Sequence, residues 1–517
     1  MTSNREQWGT NFGFILAAVG SAVGLGNIWK FPFIAGMNGG AAFVLIYIIC
    51  VVVIGFPVML MEFGLGRLTH KNPVGAFRSI DRSGGKWYLV GAMGVLAGFI
   101  ILSYYSVVAG WCLGYVWKAL HGVFSLFQDA AQAGEHFTAS AATTRWAIFY
   151  HGLFMALCIS IVIGGVKSGI ERASKILMPS LIIILIILVI RGVTLPGASS
   201  GLKFLFKPDF SKITGDTILV ALGHAFFTLS LGMGAMITYG SYLSRKDNLV
   251  TSAIIIAILD TSVAILAGIA IFTAVFAYDL EPAAGPGLIF HVLPAIFSEM
   301  PGGAFFGLLF FLLMSIAALT SGISLLEVIT AYFIDERGWP RKQATLTFGI
   351  VIFLLGIPSA MSFGALADWH PLSQTAIVSV VAGVLICILA ILLGCFDFRR
   401  EKIHLPSKVV TITVFASGIA VIIAGIFEKY PSILIGWSKT GWTFFDFADY
   451  LSFKYLLPLG GLLLAIFTLV VWGANRFIEE LKKGSRFNPS SGLTTLILVI
   501  TIILTVITFI AGIIEKT

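Results

Sequence analysis

The chain has 517 residues, 58% of them hydrophobic and only 11% charged, with a formal net charge of +8. A soluble chain carries about 25% charged residues, so this one cannot cover a globular surface, and apolar runs long enough to cross a bilayer recur along it. A soluble enzyme, a nucleic-acid binder and a disulfide-stapled secreted domain are excluded.

Isolated strands cannot cross a bilayer, so the apolar segments are read as helices. They fall near 11–36, 41–66, 88–120, 146–165, 173–191, 218–242, 249–277, 303–333, 344–360, 374–395, 408–427, 447–473 and 491–513, which predicts about 13 crossings. The first run lacks a small-residue cleavage site and reads as an uncleaved helix. The five cysteines sit in or beside apolar segments without motif spacing, as buried small hydrophobes do. With the N-terminus placed in the cytoplasm, most Lys and Arg fall in inner loops, from Arg5 and Arg67 to Arg341, Arg400 and Lys483. The outer loops keep mainly Arg145, Lys203, Lys207, Lys212, Lys429 and Lys439. That asymmetry predicts an inside N-terminus and an outside C-terminus. The longer outer loops, near 121–145, 192–217 and 278–302, are expected to form caps.

Two segments are interrupted alike. The first contains Gly20-Ser-Ala-Val-Gly-Leu-Gly-Asn27, and the sixth contains Phe227-Thr-Leu-Ser-Leu-Gly-Met-Gly234. A lone glycine in a spanning helix usually marks close helix packing. Clustered glycines with Asn27 in one segment, and with Thr228 and Ser230 in another five helices on, are the signature of an inverted repeat whose broken helices form a midplane site. Half-helix N-termini would face an anion, and freed carbonyls a cation. Other polar groups lie deep in apolar surroundings: Glu62, Tyr105, His224, Asp260, Thr320, Ser321 and Glu327. Hydroxyls within helices usually bond back to their own backbone. Asp260 is different, because an intramembrane carboxylate is costly and marks function by default.

These residues lie within motifs that resemble the neurotransmitter:sodium symporter family, of the bacterial amino-acid type. They are Arg5-Glu-Gln-Trp8, Gly20–Asn27 running into Trp29-Lys-Phe-Pro32, Asn38-Gly-Gly40, Gly169-Ile-Glu-Arg172, Phe226–Gly234 and Ala317-Ala-Leu-Thr-Ser321. The resemblance covers roughly residues 5–365 and 440–515. It implies an all-α polytopic protein of the leucine-transporter fold, a 5+5 inverted repeat with helices 1 and 6 broken. The implied divisions are a first repeat over 1–192, the start of the second over 193–365, an inserted hairpin over 366–440, the last helix of the second repeat over 441–475 and a C-terminal helix over 476–517.

The resemblance also implies two sodium sites. The first would take the carbonyls of Ala22 and Thr228, the side chains of Asn27, Thr228 and Asp260, and the substrate carboxylate. The second would take the carbonyls of Gly20, Val23 and Ala317 and the hydroxyls of Thr320 and Ser321. Hard oxygen ligands suit a hard cation. The implied substrate pocket is Ala22, Gly24, Leu25, Gly26, Ile101, Tyr105, Phe227, Ser230, Met233, Ser321 and Leu325. Amine-transporting relatives carry aspartate at the position of Gly24, so here the substrate must bring its own carboxylate. Met233, Leu325 and Gly322 are expected to leave a roomy apolar space, with Phe227 as its lid. Two gates are implied: Arg5 with Asp335, supported by Trp8 and Tyr242, on the inside, and Lys30 with Asp449 on the outside. The spacing Gly169-x9-Pro179 would let the fifth helix unwind.

The sequence departs from the family at four places. Lys30 replaces the usual arginine, which removes the planar fork of a bidentate pair. Ser21 and His224 replace amides. Asp260 replaces an asparagine and can supply the charge that chloride supplies in animal members, so transport is expected without chloride. Residues 366–440 do not align with the family's motifs and are expected to be an insertion, in which two added crossings joined by the basic loop Cys395–Lys408 would preserve orientation. The expected function is sodium-coupled import of neutral apolar amino acids, larger aliphatic or aromatic ones, across a bacterial inner membrane. Two sodium ions, the amino acid and the lipid bilayer are the expected partners, with no nucleic acid; an oligomer contact is the simplest role for the insertion. A proton-coupled transporter of the same fold is the alternative, using Asp260 or His224. A channel is disfavoured by gates on both sides. A membrane enzyme lacks support, since nucleophile–base spacings and metal-ligand clusters are absent.

Overall fold

The computed structural model describes residues 5–81, 84–280, 287–367, 443–485 and 490–514, and every regular element among them is helical. Among the described residues, eight helices are long and apolar enough to cross a membrane: Ala41–Thr69, Tyr88–Leu120, Thr144–Ile163, Val166–Val193, Leu249–Ala277, Gly303–Arg337, Arg341–Met361 and Leu457–Lys482. A ninth span is broken, with Asn11–Ala22 and Gly26–Met37 meeting at 46°. The sixth predicted segment is also two pieces, Gly215–Thr228 and Ala235–Gly240. Ser491–Ile514 closes the described chain. The crossings expected at 374–395 and 408–427, and with them the inserted hairpin, lie outside the described residues.

The long connections fold as short helices: Ala130–Ala142, Ala198–Phe206 and Leu288–Glu299. Helix 303–337 runs along helix 88–120, and helix 341–361 pairs with helix 144–163. Small residues let such helices close without a hydrophobic drive between them. A Cβ at Gly110 would stand 2.7 Å from the backbone nitrogen of His151, so helices 88–120 and 144–163 touch there backbone to backbone.

One helix begins earlier than its hydropathy suggests. The segment predicted from 173 starts at Val166 with a π-helical turn ending at Glu171. The polar run Lys167–Arg172 hides this start, because its glutamate is buried by partners distant in sequence. Glu171 accepts the N–H of Gly9 (2.6 Å), the hydroxyl of Thr10 (3.0 Å) and the ammonium of Lys175 (2.6 Å). The N-terminal residues therefore seat on helix 166–193 before helix 11–22 begins, with Thr10 as its N-cap.

A buried guanidinium fastens the same end of the molecule. Arg67, fully buried, donates to Glu480 Oε1 (2.7 Å), to the Glu480 carbonyl and to the carbonyls of Asp247 (2.6 Å) and Lys483 (3.3 Å). Three separate chain segments are held by one side chain, and its charge is matched by a carboxylate that is itself buried. Removing Glu480 would leave the buried guanidinium facing only carbonyls, a loss of about 3–5 kcal/mol, whereas Glu480 also holds the Lys483 ammonium at 2.5 Å.

Candidate functional site

The first break arises because two backbone N–H groups are diverted. In a continuous helix, Gly24 and Leu25 would donate to the carbonyls of Gly20 and Ser21. Here Gly24 N–H donates to Asn27 Oδ1 (3.0 Å) and Leu25 N–H to the Tyr105 hydroxyl (3.3 Å). The released carbonyls are met by hydroxyls instead. Ser321 Oγ reaches Gly20 O at 3.4 Å and Ser21 O at 3.1 Å, and Ser230 donates to Ser21 O at 2.7 Å. Gly24 is obligatory in this packing, since a Cβ there would stand 2.4 Å from Ser321 Oγ and 3.0 Å from the Tyr105 hydroxyl oxygen.

The second break is a helix C-terminus. Leu231 N–H bonds to Phe226 O and Ser230 N–H to Phe227 O, the paired bonds of a Schellman motif. Its left-handed position, where glycine is usual, holds Ser230 at φ +53°. That placement costs about 1–2 kcal/mol for a residue with a Cβ. Gly232 follows at φ +76°, where a Cβ would meet Leu457 O at 2.3 Å, and its N–H is taken by Glu62 Oε1 at 2.7 Å. Glu62, legible in the sequence only as a deep polar residue, thus holds the broken segment in place.

Three predicted residues converge between the breaks. Asp260, 0% exposed, accepts from Asn27 Nδ2 (2.8 Å) and from Thr228 Oγ1 (3.0 and 3.1 Å). Tyr47, which carried no sequence signal, adds its hydroxyl at 3.4 Å. A carboxylate, an amide and hydroxyls beside a helix break form an oxygen-rich nest for a hard cation. Among the described residues no group of three or more His, Cys, Asp or Glu is placed to hold a metal ion.

A second oxygen cluster lies where Gly20 meets helix 303–337. Thr320 Oγ1 donates to Ala317 O (3.0 Å), with Gly20 O within reach of Ser321 Oγ on the neighbouring residue. A Cβ at Gly20 would touch Thr320 and the sulfur of Met178, each at 3.1 Å. Ala22 and Val23 are buried in the break itself.

Beside the two clusters, Gly26 packs against Phe227, while Met233 and Leu325 both approach Gly98, one turn before Ile101. Gly322 does not join them. A Cβ there would run into Phe154 and Cys158 of helix 144–163, each at 2.9 Å, so this glycine serves helix packing and adds no room to the pocket. Leu25, Tyr105 and Phe227 also line a cavity of about 330 Å³ that opens towards Lys30, Asp449, Trp29 and Trp111. His291 lines it too, and burial lowers the pKa of its imidazole.

Both ends of the molecule carry ion pairs. Arg5 meets Asp335 at 2.5 Å, donates twice to Ser241 Oγ and lies 4.8 Å from the Tyr242 ring centre, while Trp8 donates to Tyr239 O (3.0 Å) and packs edge-on to Tyr242. A second pair behind it has no clear sequence signal. Arg341 grips both oxygens of buried Glu327 (2.6 and 3.0 Å) and reaches Glu6 (3.1 Å), and the Tyr242 hydroxyl donates to Glu327 (2.6 Å). Arg341 reads in the sequence only as loop charge. At the opposite end, Lys30 contacts both oxygens of Asp449, at 2.9 and 3.0 Å, with its ammonium 3.8 Å from the Phe453 ring centre and 5.1 Å from that of Phe227. One ammonium nitrogen reaches both carboxylate oxygens, without the two parallel bonds of an arginine fork.

Comparison with known proteins places this geometry. The model of the sodium:neurotransmitter symporter family matches residues 5–133 and 135–393. An uncharacterized sodium-dependent transporter of Bacillus subtilis (strain 168), YhdH, is 42% identical over 79% of this chain and 87% of its own length. One from Haemophilus influenzae is 39% identical over 70% and 82%. The crystal structure of MhsT in complex with L-phenylalanine superposes with a TM-score of 0.79 at 40% identity, covering 98% of this chain and 100% of that one. A family match over this much of the sequence, with bacterial relatives aligned over four-fifths of their own length, shows that the chain belongs to the sodium:neurotransmitter symporter family: it is a sodium-dependent symporter that crosses the membrane several times in the leucine-transporter fold.

Proposed function

We propose that this symporter imports neutral, apolar amino acids with larger aliphatic or aromatic side chains, driven by two sodium ions and without chloride. The observation that carries the reading is the convergence of Asn27, Thr228 and Asp260 beside a helix break whose Gly24 leaves no side chain of its own. One sodium ion would sit in that nest and share the substrate carboxylate. The second would sit among Gly20, Val23, Ala317, Thr320 and Ser321. Asp260 supplies a fixed negative charge next to the first ion, and opposite charge at that distance outweighs desolvation. Met233, Leu325 and Ile101 offer an apolar wall, and L-phenylalanine bound to MhsT is the size of ligand such a wall suits. Arg5–Asp335 would close the cytoplasmic side and Lys30–Asp449 the outer side, with the N-terminus inside, the C-terminus outside, and the protein in a bacterial inner membrane.

Two sodium ions suffice energetically. Each gains about 1.4 kcal/mol per tenfold gradient and about 2.3 kcal/mol per 100 mV. Together they supply about 7 kcal/mol, enough for roughly 10⁵-fold accumulation of a zwitterion. The test is uptake of labelled L-phenylalanine into proteoliposomes under an inward sodium gradient, competed with a panel of amino acids. Uptake that needs sodium, persists with gluconate in place of chloride and is competed best by apolar amino acids is the expected result. Uptake driven by a proton gradient without sodium, or competed best by lysine or glutamate, would overturn it.

A further inference from the structure

The outer ion pair has two further members. Lys30 Nζ stands 2.9 and 3.0 Å from the two oxygens of Asp449. It also lies over two rings, 3.8 Å from the centre of Phe453 and 5.1 Å from that of Phe227. An ammonium carries three donors and is strongly hydrated in the open. Here its side chain is only 13% exposed, so a carboxylate and two ring faces stand in for much of that water. The rings also meet each other edge to face, with centres 5.8 Å apart and planes at 63°. Sequence spacing explains the placement. Asp449 closes the helix Phe444–Leu451, and Phe453 follows four residues on, in the π-helical turn Ser452–Leu456, so one face presents both. Across from them on helix 215–228, Gly223 lies one turn before Phe227. A Cβ at Gly223 would stand 3.2 Å from Phe453 Cε1, tighter than ordinary contact, so the missing side chain leaves room for the ring.

We propose that Phe453 is a positioning residue of the outer gate, holding the Lys30 ammonium between Asp449 and the Phe227 lid. Its role rests on the gate and pocket proposed above, in which Lys30 and Asp449 close the outer side. The cavity outside the pocket is lined by Phe227, Lys30 and Asp449, whereas Phe453 is not part of that lining. Phe453 therefore acts on a departing amino acid only through Lys30 and Phe227. The ion pair alone is a weak latch, because Asp449 is 34% exposed and a pair open to water gains little and is screened by salt. The rings change that balance. A ring face attracts an ammonium over a broad range of geometries, and more strongly once the cation has shed water. Lys30 bridges both rings, so the lid cannot swing away without parting Phe227 from the ammonium, and Phe453 holds the ammonium in the position where that contact exists. Lysine suits the arrangement, since its compact charge can face a carboxylate and two rings at once.

The experiment is release of labelled L-phenylalanine from the purified full-length protein at saturating sodium, chased with excess unlabelled ligand. It compares the parent, Phe453→Leu and Phe453→Tyr, each also in a Lys30→Met background. Phe453 is only partly buried and leucine keeps the site apolar, so the comparison is between folded proteins. A cation–ring contact of this kind is worth a factor of roughly 2 to 30, and release from Phe453→Leu should be faster by that factor. Phe453→Tyr keeps a ring face and should release as slowly as the parent. In Lys30→Met, with no cation to hold, release should already be fast and leucine at 453 should add nothing. Release from Phe453→Leu at the parent's rate would overturn the role, as would a Phe453→Tyr protein as fast as Phe453→Leu. An equal acceleration by leucine in the Lys30→Met background would overturn it too, because the ring would then only pack against Phe227. A Lys30→Met protein that releases like the parent would overturn the gate itself, and a parent that binds no L-phenylalanine would overturn the substrate reading beneath it.

Discussion

Adding one methyl group at Gly24 is the sharpest perturbation of the candidate site. The new Cβ would lie 2.4 Å from Ser321 Oγ, where ordinary van der Waals contact needs about 3.5 Å. No left-handed backbone is involved at Gly24, so the effect is purely steric. Ser321 must retreat by about 1 Å, out of reach of Ser21 O and Gly20 O. Overpacking costs about 1–3 kcal/mol, and the surrendered hydrogen bond about 1 kcal/mol more. If the strain falls on the bound state, the sum of about 2–4 kcal/mol weakens binding by roughly 30- to 1,000-fold. The assay is equilibrium binding of labelled L-phenylalanine at saturating sodium for Gly24→Ala, Ser321→Ala and the double variant. Once Ser321 Oγ is gone, the nearest atoms are the Tyr105 hydroxyl at 3.0 Å and Ser321 Cβ at 3.3 Å, so the two losses should fall short of additivity by about 1 kcal/mol. Gly24→Asp, which sets a carboxylate against that of the substrate, should abolish binding altogether. Strict additivity, or a Gly24→Ala protein that binds like the parent, would refute the reasoning.

Asp260→Asn keeps the shape of the nest and removes its charge; a charged hydrogen-bonded contact is worth about 1.5–3 kcal/mol, so the sodium concentration for half-maximal binding should rise by roughly 10- to 150-fold, and a variant as sensitive to sodium as the parent would dismiss the ligand role. Glu62→Gln retains an acceptor for Gly232 N–H and should melt close to the parent, whereas Glu62→Ala leaves that N–H unmet and should lose about 1–3 kcal/mol, read as a lower melting temperature in detergent. Arg67→Met removes the guanidinium from buried Glu480 and leaves it the Lys483 ammonium at 2.5 Å, so the loss should stay below the roughly 3–5 kcal/mol of a fully stranded charge, with part recovered when Glu480→Leu is added; equal melting temperatures for the single and double variants would speak against the buried pair.

The crossings among the described residues are legible because bilayer thickness imposes a length and an apolar composition that the sequence itself reveals. So are the two breaks, since clustered glycines inside an apolar run are a local signal. Partners were less legible the further apart they lie in the chain. Lys30 and Asp449 were paired by family resemblance, but Arg341 and Glu327 were not, although their two-oxygen contact is as close. Glu171 shows the same limit in reverse. Its charge made residues 167–172 look like a loop, and only the N–H of Gly9 and the hydroxyl of Thr10 explain how a helix can start there. Gly322 was given to the pocket because smallness suggests room, yet smallness does not say on which side of a helix the room is needed.

The serine hydroxyls show why such signals fail where function concentrates. The rule that a helical hydroxyl bonds back to its own chain is sound for most of this molecule. Ser106 donates to Leu102 O, Ser315 to Phe311 O and Thr468 to Leu464 O, each one turn back. Ser230 and Ser321 depart from it for a local reason. At the first break the N–H groups of Gly24 and Leu25 have been taken by Asn27 and Tyr105, so the carbonyls of Gly20 and Ser21 stand without helical donors inside an apolar protein. A buried carbonyl left unpaired costs about 1–3 kcal/mol, more than a hydroxyl gives up by leaving its own backbone. The hydroxyls therefore cross between helices where the backbone has made vacancies, and such vacancies are what a cation needs. The break proposed to hold sodium thus also recruits the side chains that bind its edges together, and a sequence rule built on intact helices must miss that recruitment even where the glycines announce the break.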